Sequence, residues 1–155
     1  MRILLQRVSM GQVSVDHEVI GKIADGLVLL LGVKHGDQLK DADYLIEKCL
    51  NLRIFSDAQG KMNLSVLDTK GEVLVISQFT LFADTRKGRR PGFSTSAGPE
   101  EAIPLYEYVI KQITKKIGKV ETGQFGADMK VNLTNDGPVT IMIDSEDKYP
   151  RTEEK

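Results

Sequence analysis

Ser77, Gln78 and Thr80 stand together in LVISQFTLFAD, at the end of a stretch that is otherwise apolar. Two hydroxyls and a carboxamide at such a place suit a site that holds a substrate by hydrogen bonds, although a strand running out into solvent has the same composition. Just beyond, TRKGRRPGF gathers Arg86, Lys87, Arg89 and Arg90 around a glycine, with Phe93 following. Cations interleaved with glycine and an aromatic suit phosphate contact and base stacking, and they equally suit a solvated loop. A third stretch, TNDGPVTI, lies between the apolar segments MKVNL and VTIMI. Asn135-Asp136-Gly137 would make a tight turn, but Pro138 then stands where the second strand should begin and has no N–H for the ladder.

Other catalytic chemistry is sparse. His17 falls in a polar turn and His35 just after a strand, so both read as exposed loop residues, and a Ser-His-Asp triad would have to use one of them. Cys49 is the only cysteine and falls on the apolar side of a helix, which suits an inert buried thiol. No Cys/His cluster has zinc spacing and no glycine-rich loop matches a phosphate cradle, so neither a metal nor another cofactor is expected.

The elements that must position these residues follow from periodicity. RILLQRVSM, QVSVDHEVIGKI and GLVLLLGV read as strands, the second interrupted by a turn at Asp16-His17-Glu18. The third is apolar throughout and is expected to be covered on both faces. Asp37 is expected to cap a helix through about Leu50, in which Leu39, Ala42, Leu45, Ile46, Cys49 and Leu50 recur at helical spacing. GEVLVISQFTLF reads as another buried strand. A second helix is expected from about Glu101 to Ile117 on the stripe Ile103, Tyr106, Ile110, Ile113 and Ile117, with Pro104 tolerated only near its first turn. The remaining segments add sheet. The expected architecture is therefore a mainly antiparallel sheet or barrel with two helices.

The 155 residues suit one domain, here 1–147, followed by a charged tail, 148–155, expected to fray. A net charge of −1 announces no general affinity for nucleic acid, so any such role must come from a local patch. No run approaches the roughly 20 apolar residues of a membrane span, and MRILLQRVSMGQ lacks the features of a signal peptide, which points to a cytoplasmic protein.

Over nearly its whole length the chain resembles the D-aminoacyl-tRNA deacylases, also called D-tyrosyl-tRNA deacylases. QRV near the start, LRIF with GKMN, SQFTLFADTRKGRRP, PLYE, TGQFGADM and above all NDGPVT carry the resemblance. Gly92, where serine is expected, and Gly11, where alanine is more usual, depart from the pattern. The resemblance implies a homodimer of a compact α/β fold, a mainly antiparallel β-barrel-like sheet with two helices, that hydrolyses the ester of D-aminoacyl-tRNA, and of glycine mischarged on tRNA-Ala, at the terminal adenosine. It implies that Ser77, Gln78, Phe79 and Thr80 line the catalytic site. Gly137 and Pro138 would form a Gly-cis-Pro element that enters the partner subunit's site and rejects L-amino acids, steadied by Arg7.

With no histidine and no evident carboxylate base in these motifs, catalysis would rest on preorganised donors, the backbone N–H groups near Phe79 and Thr80 holding the oxyanion. A ribose hydroxyl of the RNA would assist the attacking water. Thr80 acting as a covalent nucleophile is the competing enzyme reading, and it lacks a visible base. Phe125 and Met129 would pack against the terminal adenine or belong to the core, and Arg86, Lys87, Arg89 and Arg90 would meet acceptor-stem phosphates. A non-catalytic nucleic-acid-binding module using the same basic loop is the alternative from another class.

Overall fold

A computed structural model describes residues 1–151. The long strand β1 (Arg2–Val15) organises the sheet. Its first half pairs antiparallel with β3 (Gly26–Gly32), from Arg2 opposite Gly32 to Val8 opposite Gly26, and its second half with β2 (Glu18–Ile23). β3 continues parallel into β6 (Glu72–Ser77), and β6 parallel into the short β7 (Glu121–Thr122). The other edge of β1 is covered by β8 (Lys130–Asp144), antiparallel along almost its full length. β2 leans back over β7 so closely that a Cβ on Gly21 would come within 2.7 Å of the Thr122 carbonyl oxygen, and the mixed sheet nearly closes into a barrel. A two-stranded ribbon of β4 (Phe55–Ser56) and β5 (Met62–Leu64) lies apart.

The uninterrupted apolar run of β3 is explained by two cores. On one face Ile3, Leu5, Leu27, Leu29, Leu31, Val73 and Val75 pack under the helices α1 (Leu39–Asn51) and α3 (Pro99–Ile117). On the other Val8, Val13, Ile23, Val28, Leu74 and Ile76 fill the barrel side, with Leu30, Met129 and Leu133 at its margin. Each fully buried aliphatic chain contributes about 1.5–3 kcal/mol, so this double layer dominates the fold's stability.

Several local expectations change. Among the described residues there are three α-helices, the unforeseen one being the single turn α2 (Val66–Thr69), opened by a capping box between Ser65 and Asp68. α3 begins at Pro99, which places Pro104 in its second turn. The proline is exposed, so the carbonyl that it leaves without a partner lies at the solvent face. The buried stripe of α3 is Ala102, Leu105, Tyr106, Val109 and Ile113. Of the residues expected on that stripe, Ile103, Ile110 and Ile117 are only half-buried, because the helix meets the sheet about one residue off the predicted line. The strand expected to run through GEVLVISQFTLF ends at Ser77 and turns.

Asp37 is not the cap of α1; Gln38 is, with the Asp41 carboxylate accepting from its N–H at 2.9 Å. Asp37 instead meets the Met1 ammonium at 2.8 Å, and that ammonium also donates to the Ser145 hydroxyl at 2.8 Å. The Arg151 guanidinium joins Asp37 at 2.8 Å and Asp41 at 3.1 Å, so the tail, expected to fray, is anchored through Arg151. Tyr149 adds an edge contact to Tyr44, with ring centroids 6.2 Å apart. Residues 152–155 lie outside the described residues.

Burial alone would raise the Asp41 pKa, but the Gln38 N–H, the Ser145 hydroxyl and the Met1 and Arg151 cations outweigh it and hold the carboxyl below its usual range. A depressed carboxyl stabilises the fold above the unfolded-state pKa of about 4 and loses that contribution as pH falls through the folded value. Asp41→Asn is therefore expected to cost about 3 kcal/mol at pH 7, since it leaves the buried Met1 ammonium and the partly exposed Arg151 guanidinium to share Asp37 alone. Thermal melts at pH 7 and pH 3 check this: the gap between variant and parent narrows at pH 3.

Candidate active site

β6 brings the polar cluster to the sheet's end. Ser77 stands opposite Leu31 of β3, and the Gln78 N–H donates to the Leu31 carbonyl at 2.7 Å. The chain then winds into a 3-10 turn, Phe79–Phe82, whose first bond runs from the Leu81 N–H to the Gln78 carbonyl at 3.3 Å. The N–H groups of Phe79 and Thr80 open this turn and have no partner within it. The Gln78 carboxamide donates to Oγ1 of Thr80, which leaves the hydroxyl proton free to point elsewhere.

Beside the turn is a cavity of about 220 Å³, lined by Ile76, Ser77, Gln78, Phe79, Gly126, Ala127, Met129 and Val131. No histidine, carboxylate, lysine or cysteine is among these lining residues. His35 is engaged elsewhere, its Nδ1 lying 3.0 Å from Glu101, and His17 occupies the turn between β1 and β2. Ser77, Gln78 and Phe79 line the cavity, whereas Thr80 is exposed and not among the lining residues, and no base stands in that lining to activate its hydroxyl. Met129 reaches the site. Phe125 does not line it, and its ring packs against Tyr106 at 5.8 Å on the core side.

The basic loop projects from a neck in which Asp84 and Gly92 exchange backbone hydrogen bonds of 2.8 and 2.9 Å. Arg86 folds back onto Asp84 with contacts of 2.9 and 2.8 Å, and these bonds hold the Asp84 carboxyl down at about 2. Lys87, Arg89 and Arg90 are exposed on the loop. A Cβ on Gly92 would find nothing nearer than 3.9 Å, so the serine expected here would fit.

Gly137-Pro138 lies in a wide bulge of β8. Gln6 faces Thr140 and Val8 faces Asn135, which leaves Asp136, Gly137, Pro138 and Val139 opposite Arg7 alone. The Gly137-Pro138 peptide is cis. Arg7 donates from Nε to the Asp136 carbonyl at 2.9 Å and from Nη1 to the Ile54 carbonyl. Asn135, visible in the sequence only as a turn residue, staples the neck: its Oδ1 accepts from the Val139 N–H at 2.6 Å and its Nδ2 donates to Oγ1 of Thr140 at 2.9 Å. Gly137 has φ 138°, and a Cβ there would come within 2.8 Å of a Val139 methyl and 3.0 Å of Arg7. Neither Gly137 nor Pro138 lines the cavity beside Ser77, so one chain alone does not bring the two motifs together.

Sequence reasoning passed over Thr95 and Ser96. Their hydroxyls donate to the Phe82 carbonyl at 3.2 Å and the Phe79 carbonyl at 3.0 Å, pinning both ends of the 3-10 turn. Two hydroxyls in a loop carry no signal until the turn they pin is located. Cys49 is fully buried and its thiol is pushed up to about 12 by desolvation. Cys49→Ala is expected to lower stability modestly and to leave specific activity intact, as ester-hydrolysis assays on the folded variant would register.

Among the described residues, no group of three His, Cys, Asp or Glu gathers to hold a metal, and no helix is long and apolar enough to cross a membrane. The fold is that of a deacylase-type α/β barrel: a solved structure of the c-Myc DNA Unwinding Element Binding Protein superimposes with a TM-score of 0.88 at 38% identity, covering 93% of this chain and 98% of that one. The chain belongs to the D-Tyr-tRNA(Tyr) deacylase family, whose profile matches residues 4–144, and is with it a hydrolase. It is 58% identical over 146 residues to the D-aminoacyl-tRNA deacylase of Thermosipho melanesiensis, covering 94% of this chain and 97% of that protein. It is 57% identical over 149 residues to that of Clostridioides difficile, covering 96% and 100%.

Proposed function

We propose that the protein hydrolyses the ester of D-aminoacyl-tRNA, and of glycyl-tRNA mischarged on tRNA-Ala, releasing the free amino acid and tRNA. The observation that carries this reading is a cavity beside Ser77–Thr80 with donors but no ionisable side chain, in a chain of the deacylase family. Such a site cannot supply a general base, so it suits a substrate that brings one. The carbonyl of the aminoacyl ester sits against the N–H groups of Phe79 and Thr80, which stabilise the oxyanion as water adds. The free hydroxyl of the terminal ribose orients that water and relays its proton, accepting it while passing its own to the neighbouring esterified oxygen, and the acyl C–O bond to that oxygen breaks to leave the free acid and the ribose diol. Met129 packs against the terminal adenine, joined by Phe125 if that ring leaves Tyr106. Lys87, Arg89 and Arg90, with Arg86 as far as Asp84 releases it, lie along the acceptor-stem phosphates.

The active form in this reading is a homodimer in the cytoplasm. The Gly137-Pro138 bulge, held by Arg7 and Asn135, enters the partner's cavity and excludes L-amino acids. Light scattering at micromolar concentration is expected to give about twice the 17.2 kDa of one chain, and a value near 17 kDa would remove the cross-subunit site.

The resemblance to a protein described as DNA-binding favours a second reading, a non-catalytic nucleic-acid-binding module that uses the same basic loop. Incubation of the purified protein with D-Tyr-tRNA separates the two: release of D-tyrosine supports the hydrolase, and retention without turnover supports the module.

A further inference from the structure

We propose that the rings of Phe79 and Phe93 form a stacking platform for the nucleotide that precedes the terminal adenosine of the substrate, an inference that rests on the deacylase reading above. Phe79 is 55% exposed, whereas the other four phenylalanines are buried or half-buried. Its exposure is not looseness. The Phe93 ring meets it edge-on, with centroids 5.0 Å apart and planes at 65°, and the Ser96 hydroxyl donates to its carbonyl at 3.0 Å. An exposed ring held by a second ring and by a pinned backbone suits a ligand that brings a flat π face, because little conformational freedom is lost when the face arrives.

The position of the pair selects the ligand. Phe79 belongs to the rim of the cavity of about 220 Å³, which is of a size for one compact group. A strand whose last unit occupies that cavity must leave across the rim. Phe93 follows directly on Arg89, Arg90, Pro91 and Gly92, so the exit from the cavity leads over an aromatic pair and onto a loop of cations. Single-stranded nucleic acid is recognised by this combination, with bases on aromatic faces and phosphates on flanking Arg and Lys. In the dimer proposed above the partner brings its Gly137-Pro138 bulge to the cavity, so a subunit contact that covers the pair is the competing occupant that the test below distinguishes. Base stacking tolerates any base, so the platform adds affinity for length at the 3′ end and not for sequence.

The test compares D-tyrosine esters of adenosine and of the dinucleotide CpA, measuring kcat/KM for each with the wild type, Phe93→Ala and Phe93→Trp. Their ratio within one variant cancels any general loss of folding or catalysis. The wild type should prefer the dinucleotide ester by on the order of tenfold. Phe93→Ala should bring the ratio near unity, and Phe93→Trp should restore it. An unchanged ratio in Phe93→Ala would overturn the platform. Titration with unesterified CpA and adenosine provides a readout that needs no turnover: a preference for CpA that is lost in Phe93→Ala supports the platform even if no ester is cleaved, and equal affinities refute it. Loss of mass in light scattering of Phe93→Ala would assign the pair to a subunit contact and would also overturn the proposal.

Discussion

D-Tyr-tRNA is expected to be deacylated while L-Tyr-tRNA survives, with rates separated by on the order of a thousandfold, the factor that a collision worth about 4 kcal/mol produces. The Asp136–Val139 bulge is rigid for identifiable reasons: Arg7 and Asn135 bind it from both sides, and Gly137 has no room for a side chain. In the proposed dimer, the Gly137 and Pro138 carbonyls of a bulge held in this way, placed against the substrate's α-carbon, would leave no space for an L side chain. A D side chain points outward, and glycine has nothing to collide. Selection then acts by exclusion and without recognition of the side chain, so the D-Tyr, D-Asp and Gly esters should all be cleaved. The measurement is ester hydrolysis of paired D and L substrates on the same tRNA. Equal rates for the two enantiomers would refute the filter. Gly137→Ala should narrow the separation, because its Cβ must displace Val139 or Arg7.

The sheet's centre was legible because an apolar run such as LVLLL in β3 has few alternatives to burial on both faces. The direction of pairing was not, since periodicity is the same in a strand whether its neighbour runs parallel, as β6 does, or antiparallel. Asp37 was misread for a related reason. A carboxylate before a helix is ordinarily a cap, and its actual partners, Met1 and Arg151, lie 36 and 114 residues away along the chain. The same cluster explains the anchored tail, which local composition marked as frayed. At the site, the residues that matter lack the ionisable groups by which catalytic centres announce themselves. Ser77 to Thr80 read as a strand reaching solvent until the motifs were taken together, and the pins at Thr95 and Ser96 emerged only with the geometry.

The second large effect concerns the missing base. Replacing the free hydroxyl of the terminal ribose by hydrogen, in a D-Tyr-tRNA esterified at the 3′ position, should lower turnover by on the order of 10²–10⁴-fold, the usual contribution of a proton-transfer partner. Binding should change little, since the cavity walls and the basic loop are untouched. Thr80→Ser should retain activity within about tenfold, because the proposed oxyanion donors at this position are backbone N–H groups and serine keeps the hydroxyl that accepts from Gln78. Thr80→Val separates the possibilities further: it removes the hydroxyl and keeps the N–H. If Thr80 were a covalent nucleophile, Val would abolish turnover and an acyl-enzyme would accumulate in a rapid-mixing experiment on the parent, whatever the ribose carries. The absence of His, Asp, Glu, Lys and Cys from the cavity lining argues against that outcome, because an unassisted threonine hydroxyl stays protonated at neutral pH. Full activity on the deoxy substrate would return the chemistry to a protein group, with Thr80 the first to be tested. Loss on the deoxy substrate together with survival of Thr80→Val would leave the RNA as the source of the base.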